Sequence, residues 1–339
     1  MKARRATIKA LYEGTDISVD VSAFFKAFSF TDALSGEADG ASITLHDLPE
    51  LWIGDWIPDR GAMMELSILL SEWDSPMDEQ EMPLGKFEID EIENSMPPRE
   101  AKIKLVSVPN NANIRSVQKS RSWEKARLSE ILKDVAEGAD MEYFYDTEDD
   151  PLLERAEQTE ETDLQFLLKL AKDAGLALKV TDEKIVIFDE AEYEKKDAVL
   201  AFTKGESAIL SFSARATIRN IYKACHVKYK HQEKDEFIEY TYEAPDKKDK
   251  EGQTLEVNEK VETLEEAEKL AKKRLREKNR DEVTVSLTTP GNFALSAGNT
   301  IELAGFHFYD GKYLITRAVH DIGSAYTVKV DLRRCLDEY

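Results

Sequence analysis

Residues 158–188, QTEETDLQFLLKLAKDAGLALKVTDEKIVIF, predict a capped helix followed at once by a β-hairpin. Thr162 stands at the N-cap, and Gln165, three residues on, is placed to bond back to the cap's own amide. Leu164, Leu167, Leu168 and Ala171 recur at helical spacing, with Phe166 and Leu170 widening the apolar stripe. Gly175 falls where a left-handed residue ends a helix. LALKV and IVIF then read as two strands across the polar turn at 181–184. The unit holds no obvious nucleophile, and the chain on either side of it reads as β.

Upstream, residues 1–108 carry RATIKALY, FFKAFSF, ASITLHD, MELSILLS, GKFEIDEI and AKIKLVS, separated by Gly-, Pro- and Asp-containing turns. Six short strands at this spacing predict a small barrel or sandwich. Residues 109–199 read as a small α/β domain. A polar connector, PNNANIRSVQKSRSW, leads to a helix over 126–137 with Leu128, Ile131, Leu132, Val135 and Ala136 on one face and Gly138 past its end. MEYFY is a strand, DTEDDP a loop, and LLERAEQ leads into the capped helix. Residues 200–230 and 283–339 return to β, with ILSFSARATI, IYKACHVKYK, VTVSL, NTIEL, KYLITRAV and YTVKVDL as strands. Residues 231–282 read as an insertion between them. There the charged stretch HQEKDEFIEYTYEAPDKKDKEGQ precedes a helix, TLEEAEKLAKKRLREKNR, opened by a Thr263/Glu266 capping box. Its acidic residues come first and its basic ones last, which complements the helix dipole.

The two β regions resemble each other. GAMMELS from Gly61 parallels GNTIELA from Gly298, and GKFEIDEIENS from Gly85 parallels GKYLITRAVHD from Gly311. AKIKLVS and TVKVDLR follow at nearly the same distance, and ITL at Ile43 and VSL at Val285 hold the same place in order. Matched elements in one order predict two copies of one β module, separated by the α/β unit.

The bulk properties exclude several classes. A net charge of −22 opposes a direct grip on nucleic-acid phosphates, which needs clustered Lys and Arg. The basic N-terminal residues have no apolar segment behind them, and no apolar run is long enough to span or anchor in a membrane. Cys225 and Cys335 are the only cysteines, so no disulfide framework holds the fold together. No Walker loop, Rossmann fingerprint, nucleophile elbow or zinc-protease motif occurs, and neither a metal nor another cofactor is expected. Cys225 and His226 adjoin on a strand and face opposite sides. Asp146, Glu148, Asp149 and Asp150 lack the spacing and the glycine of a calcium loop and read as a solvated loop. Trp52, Trp56 and Trp73 read as core or loop anchors, or else as an aromatic contact patch.

The segment QTEETDLQFLLKLAKDAGLALKV resembles the Q-x-x-E-[TS]-D-x-x-F-L-x-x-L-A motif of the late control gene D family, the tail baseplate hubs of contractile phages and related particles. The ending NFALSAGNTIELAGFHFYDGKYLITRAVHDIGSAYTVKVDLRR is similar to that family's ending, and PDRGAMMELSI and LGKFEIDEI also fit. The resemblance implies a fold that is mainly β with α+β inserts: two tail-tube-like β-barrel domains per chain plus a small α/β domain. It implies a non-enzymatic homotrimer whose pseudo-sixfold ring and central channel join the sixfold tail tube to the threefold spike. The implied partners are a tail tube protein or tube initiator, other baseplate proteins and a tape-measure protein in the lumen. Type VI secretion VgrG proteins fuse a similar hub to a needle; here the sequence stops after the last strand, so a separate spike protein is expected. Synthesis in the bacterial cytoplasm and assembly into a virion tail or a phage-tail-like bacteriocin follow from the same resemblance. Two other functions compete with it: binding cell-wall peptidoglycan, and glycan hydrolysis by paired carboxylates. Thr162, Gln165, Gly175, Thr263 and Glu266 are the positions singled out, all as helix caps.

Overall fold

The computed structural model describes residues 4–75, 77–107, 114–181, 183–230, 237–248 and 251–336. Of the stretches read above, part of the connector (108–113), the opening of the charged stretch (231–236) and the last residues (337–339) lie outside these.

The first region contains β1 (Arg5–Tyr12), β2 (Thr15–Asp16), α1 (Ser18–Phe24), β3 (Phe25–Ala33), β4 (Gly40–His46), β5 (Met63–Ser71), β6 (Glu79–Ser95) and β7 (Glu100–Val106). Strict alternation shapes the inner strands: Ala41, Ile43 and Leu45 of β4 are buried, as are Ala101, Ile103 and Leu105 of β7. The middle region holds β8 (Gln118–Arg127), α2 (Leu128–Glu137), β9 (Glu142–Asp146), β10 (Leu152–Thr162), α3 (Asp163–Asp173), β11 (Ala177–Val180), β12 (Lys184–Phe188) and α4 (Glu190–Lys195). The last region comprises β13 (Leu200–Thr203), β14 (Ser211–Ala216), β15 (Tyr222–Lys230), β16 (Phe237–Glu243), β17 (Gln253–Val257), α5 (Leu264–Asn279), β18 (Val283–Pro290), β19 (Thr300–Ala304), β20 (Gly311–Ile322) and β21 (Tyr326–Arg334).

The fold is mainly β with α+β inserts. Both outer regions share one 13-stranded sheet in the order β14-β18-β21-β20-β3-β4-β7-β6-β5-β1-β2, with β19 on β20 and β13 on β19. The β20–β3 pair therefore joins the last region to the first. One continuous apolar core underlies both, from Ile8 and Phe28 to Val330 and Leu332.

The strand pairings repeat. β4, β7, β6 and β5 neighbour one another in that order, and β18, β21, β20 and β19 do the same, all antiparallel. β6 bulges between Ile89 and Glu91 against β7, and β20 bulges between Ile315 and Arg317 against β21. These are the same points of the parallel stretches GKFEIDE and GKYLITR. Met64 faces Phe87 as Ile301 faces Tyr313. The register also pairs β3 with β4 as β14 with β18, which makes Phe28 the counterpart of Phe212 and Phe30 that of Ala214. Traced through the register, Ile43 corresponds to Leu287, so ITL and VSL are offset by two residues; an even offset keeps the same face inward. Beyond the insertion, the copies differ in their outer strand: β1 joins β5 antiparallel, whereas β13 joins β19 parallel.

Two features were not legible as such in the sequence, and one strand that was, IYKACHVKYK, takes other partners than expected. The connector and LLERAEQ form a long two-stranded ribbon, β8 with β10. Its residues are charged on both faces, so no apolar alternation marks it. FIEYTYE, inside the charged stretch, is β16; Ile238, Tyr240 and Tyr242 lean on the α5 core while Glu239 and Thr241 face out. Tyr222–Lys230, grouped above with 200–230, pairs with β16 and β17 and packs against Ala267, Ala271 and Leu275 of α5.

The middle region packs α2 and α3 on the β11-β12-β9 sheet. Thr162 Oγ1 accepts from Gln165 N at 3.3 Å, and Gln165 Oε1 accepts from Thr162 N at 3.2 Å. Gly175 follows the C-cap Ala174 with φ 70°, a conformation that favours glycine. In α5, Thr263 Oγ1 accepts from Glu266 N at 3.1 Å, while Glu266 Oε2 takes Glu262 N at 2.7 Å, one residue ahead of the cap. Thr162→Ala is expected to cost about 1 kcal/mol in urea denaturation. An unchanged midpoint would show that α3 is held by packing alone.

Candidate assembly site

The β20–β3 junction carries a buried polar and aromatic cluster. Ala318, His320 and Ile322 of β20 lie opposite Asp32, Phe30 and Phe28 of β3. His320 is fully buried; its Nδ1 lies 2.7 Å from Tyr326 Oη and its Nε2 3.2 Å from the Leu295 carbonyl. Trp73, from the first region, closes the same cluster: its Nε1 donates to the Gly291 carbonyl at 3.1 Å and its ring lies 5.5 Å from Tyr326.

Burial holds the His320 pKa below its ordinary 6.5, against weaker opposing pulls from Asp32, the Leu295 carbonyl and Asp321. The unfolded chain therefore binds the proton more readily. Between the two pKa values the unfolded state carries more protons, so stability rises with pH there. The contribution is intact above pH 6.5 and is lost as pH falls towards the folded pKa. His320→Gln is expected to flatten the difference in melting temperature between pH 7 and pH 5; an unchanged slope would mean that His320 does not titrate in this range.

Two ion clusters bolt the α/β unit to this junction. Lys179 of β11 reaches Asp32 at 2.6 Å and Asp39 at 3.2 Å, and donates to the Ala33 carbonyl at 3.0 Å. Burial works against the Lys179 charge, yet the two carboxylates hold its pKa above the ordinary value. Asp32 Oδ2 also accepts from Ala297 N at 2.8 Å. Arg333 of β21, 3% exposed, meets Glu190 at 2.7 Å and contacts Glu194, both from α4. Arg276 of α5 approaches Glu194 at 2.5 Å from the other side.

Of the open edges of the large sheet, which also include β13 and most of β1, two lie at matching places in the two repeats. Among the described residues β14 is paired only with β18. β6 is covered by β5 only as far as Glu88, so among the described residues its stretch 90–95 has β7 on one side and no strand on the other. A groove of about 900 Å³ runs along this second edge, lined by Gly61, Glu88, Asp90, Ile92 and Arg115 among others. Exposed apolar side chains flank both edges: Leu210 at 59% and Ile218 at 92% beside β14, and Met96 at 57% beyond β6.

The sheet face opposite the core carries hydroxyls and balanced charge. Ser29, Thr31, Ser42, Thr44, Ser213, Ser286 and Thr288 are on it. Its cations Lys102, Lys104, Arg215, Arg317 and Lys329 are matched by Glu91, Glu93, Glu100, Asp321 and Asp331. The chain's net charge of −22 is therefore not concentrated there.

The remaining candidates fall into structural places. Among the described residues no group of three His, Cys, Asp or Glu side chains is arranged to hold a metal ion. Cys225 is buried against α5, which pushes its thiol up to about 11, while His226 faces out to Thr241 Oγ1 at 2.8 Å. Asp150 caps α2 through Ser129 N at 3.0 Å, and Asp149 pairs with Lys273. Trp52 and Trp56 pack together at 5.7 Å, apart from Trp73 in the junction. The capping residues belong to the α/β unit and α5 and line neither open edge. The residues of the QTEETD motif that do most in space are Gln158 and Asp163. Asp163 is fully buried and receives Lys119 and Arg121 of β8, each at 2.6 Å, and Gln158 Nε2 at 2.9 Å. Both residues belong to the Q-x-x-E-[TS]-D stretch of the family resemblance, but helical periodicity gave no sign of this cluster.

A sequence profile described as the phage tail baseplate hub (GPD) matches residues 89–326. The chain belongs to the phage tail baseplate hub family. Solved tail proteins and a secretion-system component share the fold. A tail protein from Neisseria meningitidis MC58 is 13% identical with a TM-score of 0.71, over 97% of this chain and 96% of that one. The 43 kDa tail protein of prophage MuSo2 from Shewanella oneidensis is 13% identical with a TM-score of 0.72, over 97% and 98%. An E. coli component of the type VI secretion system, described as similar to the T4 tail proteins gp27 and gp5, is 12% identical with a TM-score of 0.56, over 99% and 78%. No curated protein sequence matches the chain significantly. Among the described residues no helix of this hub is long and apolar enough to cross a membrane.

Proposed function

We propose that the chain is the non-enzymatic structural hub of a contractile injection particle. Three copies, each contributing two strand repeats, form a pseudo-sixfold ring around a central channel. The ring adapts a sixfold tail tube on one side to a threefold spike on the other. The observation that carries this reading is the pair of equivalent repeats, extended by β3 in one and β14 in the other, that join through β20 and β3 while β14 and the 90–95 stretch of β6 have no matching strand among the described residues. Unpaired sheet edges template further pairing, and a rotation that closes removes every edge of these two kinds. The hydroxyl-rich, charge-balanced face supports a channel lining that passes a tape-measure protein or DNA without retaining either.

Sedimentation at increasing concentration, followed by electron microscopy down the symmetry axis, tests the reading. A three-chain particle with a six-lobed outline and a central opening is expected. A species that stays monomeric or dimeric, alone and with tube and spike proteins, overturns it. Peptidoglycan zymography is expected to remain blank.

A further inference from the structure

The two matching open edges are the unfilled halves of a joint that the chain already makes once. Within one chain, β20 of the second repeat pairs with β3 of the first, from Arg317 opposite Ala33 to Ile322 opposite Phe28. The counterpart of β20 is β6, and the counterpart of β3 is β14. Among the described residues both counterparts are unpaired on the matching side. Resting on the ring reading above, we infer that β14 of one copy pairs antiparallel with residues 91–96, the end of β6 and the residue after it, in the next copy, in the register that the internal joint dictates.

Transfer of the register makes definite matches. Val319 opposite Thr31 becomes Glu93 opposite Arg215. His320 opposite Phe30 becomes Asn94 opposite Ala214, and Ile322 opposite Phe28 becomes Met96 opposite Phe212.

Three independent features fit. First, charge: Glu93 and Arg215 are exposed and of opposite sign, and among the described residues Arg215 has no ion-pair partner. Directly opposed residues of opposite charge stabilise a strand pair, and like charges oppose it. Second, apolar surface: Leu34, just past β3, is 5% exposed and its N–H donates to the Thr316 carbonyl at 2.9 Å across the internal joint. Its counterpart past β14 is Ile218, 92% exposed, and the matching acceptor is the carbonyl of Asp90. Third, space: Asp90 and Ile92 line the groove of about 900 Å³ that an incoming strand would occupy. The partner is thus a second copy of this chain, seated head to tail, and repetition closes the ring.

The test is site-directed cross-linking between separately made chains. Directly opposite residues have Cα atoms about 4.5–5.5 Å apart, within disulfide reach. Glu93→Cys protein mixed with Arg215→Cys protein is expected to give a disulfide-linked dimer on mild oxidation. Either variant alone, and the unsubstituted chain with its buried Cys225 and Cys335, is expected to give none. Replacing the partner by Ser213→Cys or Thr217→Cys, two residues out of register on the same face, is expected to cut the yield at least tenfold. Both Glu93 and Arg215 are exposed in the single chain, so circular dichroism is expected to show unaltered folding. A trimer by sedimentation without the 93–215 link, or with an equal link at 213 or 217, overturns the seam and leaves the ring standing. Monomers without any link overturn both.

Discussion

Arg333→Ala is expected to lower the stability of the chain by about 3–5 kcal/mol, the cost of breaking a buried ion pair from one side. The guanidinium is almost wholly buried and divides its two arms between Glu190 and Glu194 of α4. Without it, two carboxylates stay out of water with weaker company. Arg280 stands 3.7 Å from Glu190, beyond hydrogen-bonding distance, and Arg276 keeps only Glu194. Glu194 Oε2 still accepts from Leu336 N at 2.8 Å, so α4 is held near the end of β21 and cannot swing its carboxylates into solvent without losing that contact. Arg333→Lys retains the charge but cannot reach both acids with a planar fork, and an intermediate loss is expected. Urea denaturation of the three proteins measures this. A loss under 1 kcal/mol for the alanine variant would show that water already reaches the cluster.

Asp163→Ala is expected to cost about 3 kcal/mol, towards the lower end of the same range. The carboxylate is fully buried, but the two cations it receives, Lys119 and Arg121, keep 28% of their side-chain surface and can turn partly to water. What the substitution also removes is an acceptor for Gln158, itself 1% exposed. Gln158 keeps the Glu161 carbonyl and Arg121 as partners, but one of its buried N–H groups loses its acceptor, which carries a desolvation cost. The damage is expected to be local. Amide exchange is expected to quicken in β8 and β10, which share few apolar contacts with the rest, before it quickens in the β11-β12-β9 sheet. Equal acceleration across the α/β unit would mean that the ribbon and the sheet unfold together.

These two positions mark where reading the sequence succeeds and where it stops. The amphipathic helices at 128–137 and 264–279 and the alternating strands around Ile43 and Ile103 announce themselves, because burial on one face imposes a period on the residues. The two matched G-K-aromatic stretches, starting at Gly85 and Gly311, likewise carry a repeat whose common bulge the structure places at Asp90 and Thr316. The β8–β10 ribbon left no such trace. Its few apolar contacts with the core, Trp123 stacked on Phe166 at 5.1 Å with Ala126, Leu153 and Ala156, are too scattered to set a period, and backbone pairing and ion pairs impose none. Arg333 and Glu194 look like any other charged residues in a chain rich in them; their burial exists only once α4, α5 and β21 meet.

By itself the sequence determined the local elements, their order, the repeat and, through QTEETD, the family. Each of these depends on residues close together in the chain or on a pattern that recurs in it. Only the tertiary structure decided which strand edges join. β3 and β20 come from opposite ends of the chain and meet through backbone N–H and C=O groups that nearly every residue carries, so no side-chain signature specifies the pair in advance. The same anonymity of backbone pairing leaves β14 and the far half of β6 open.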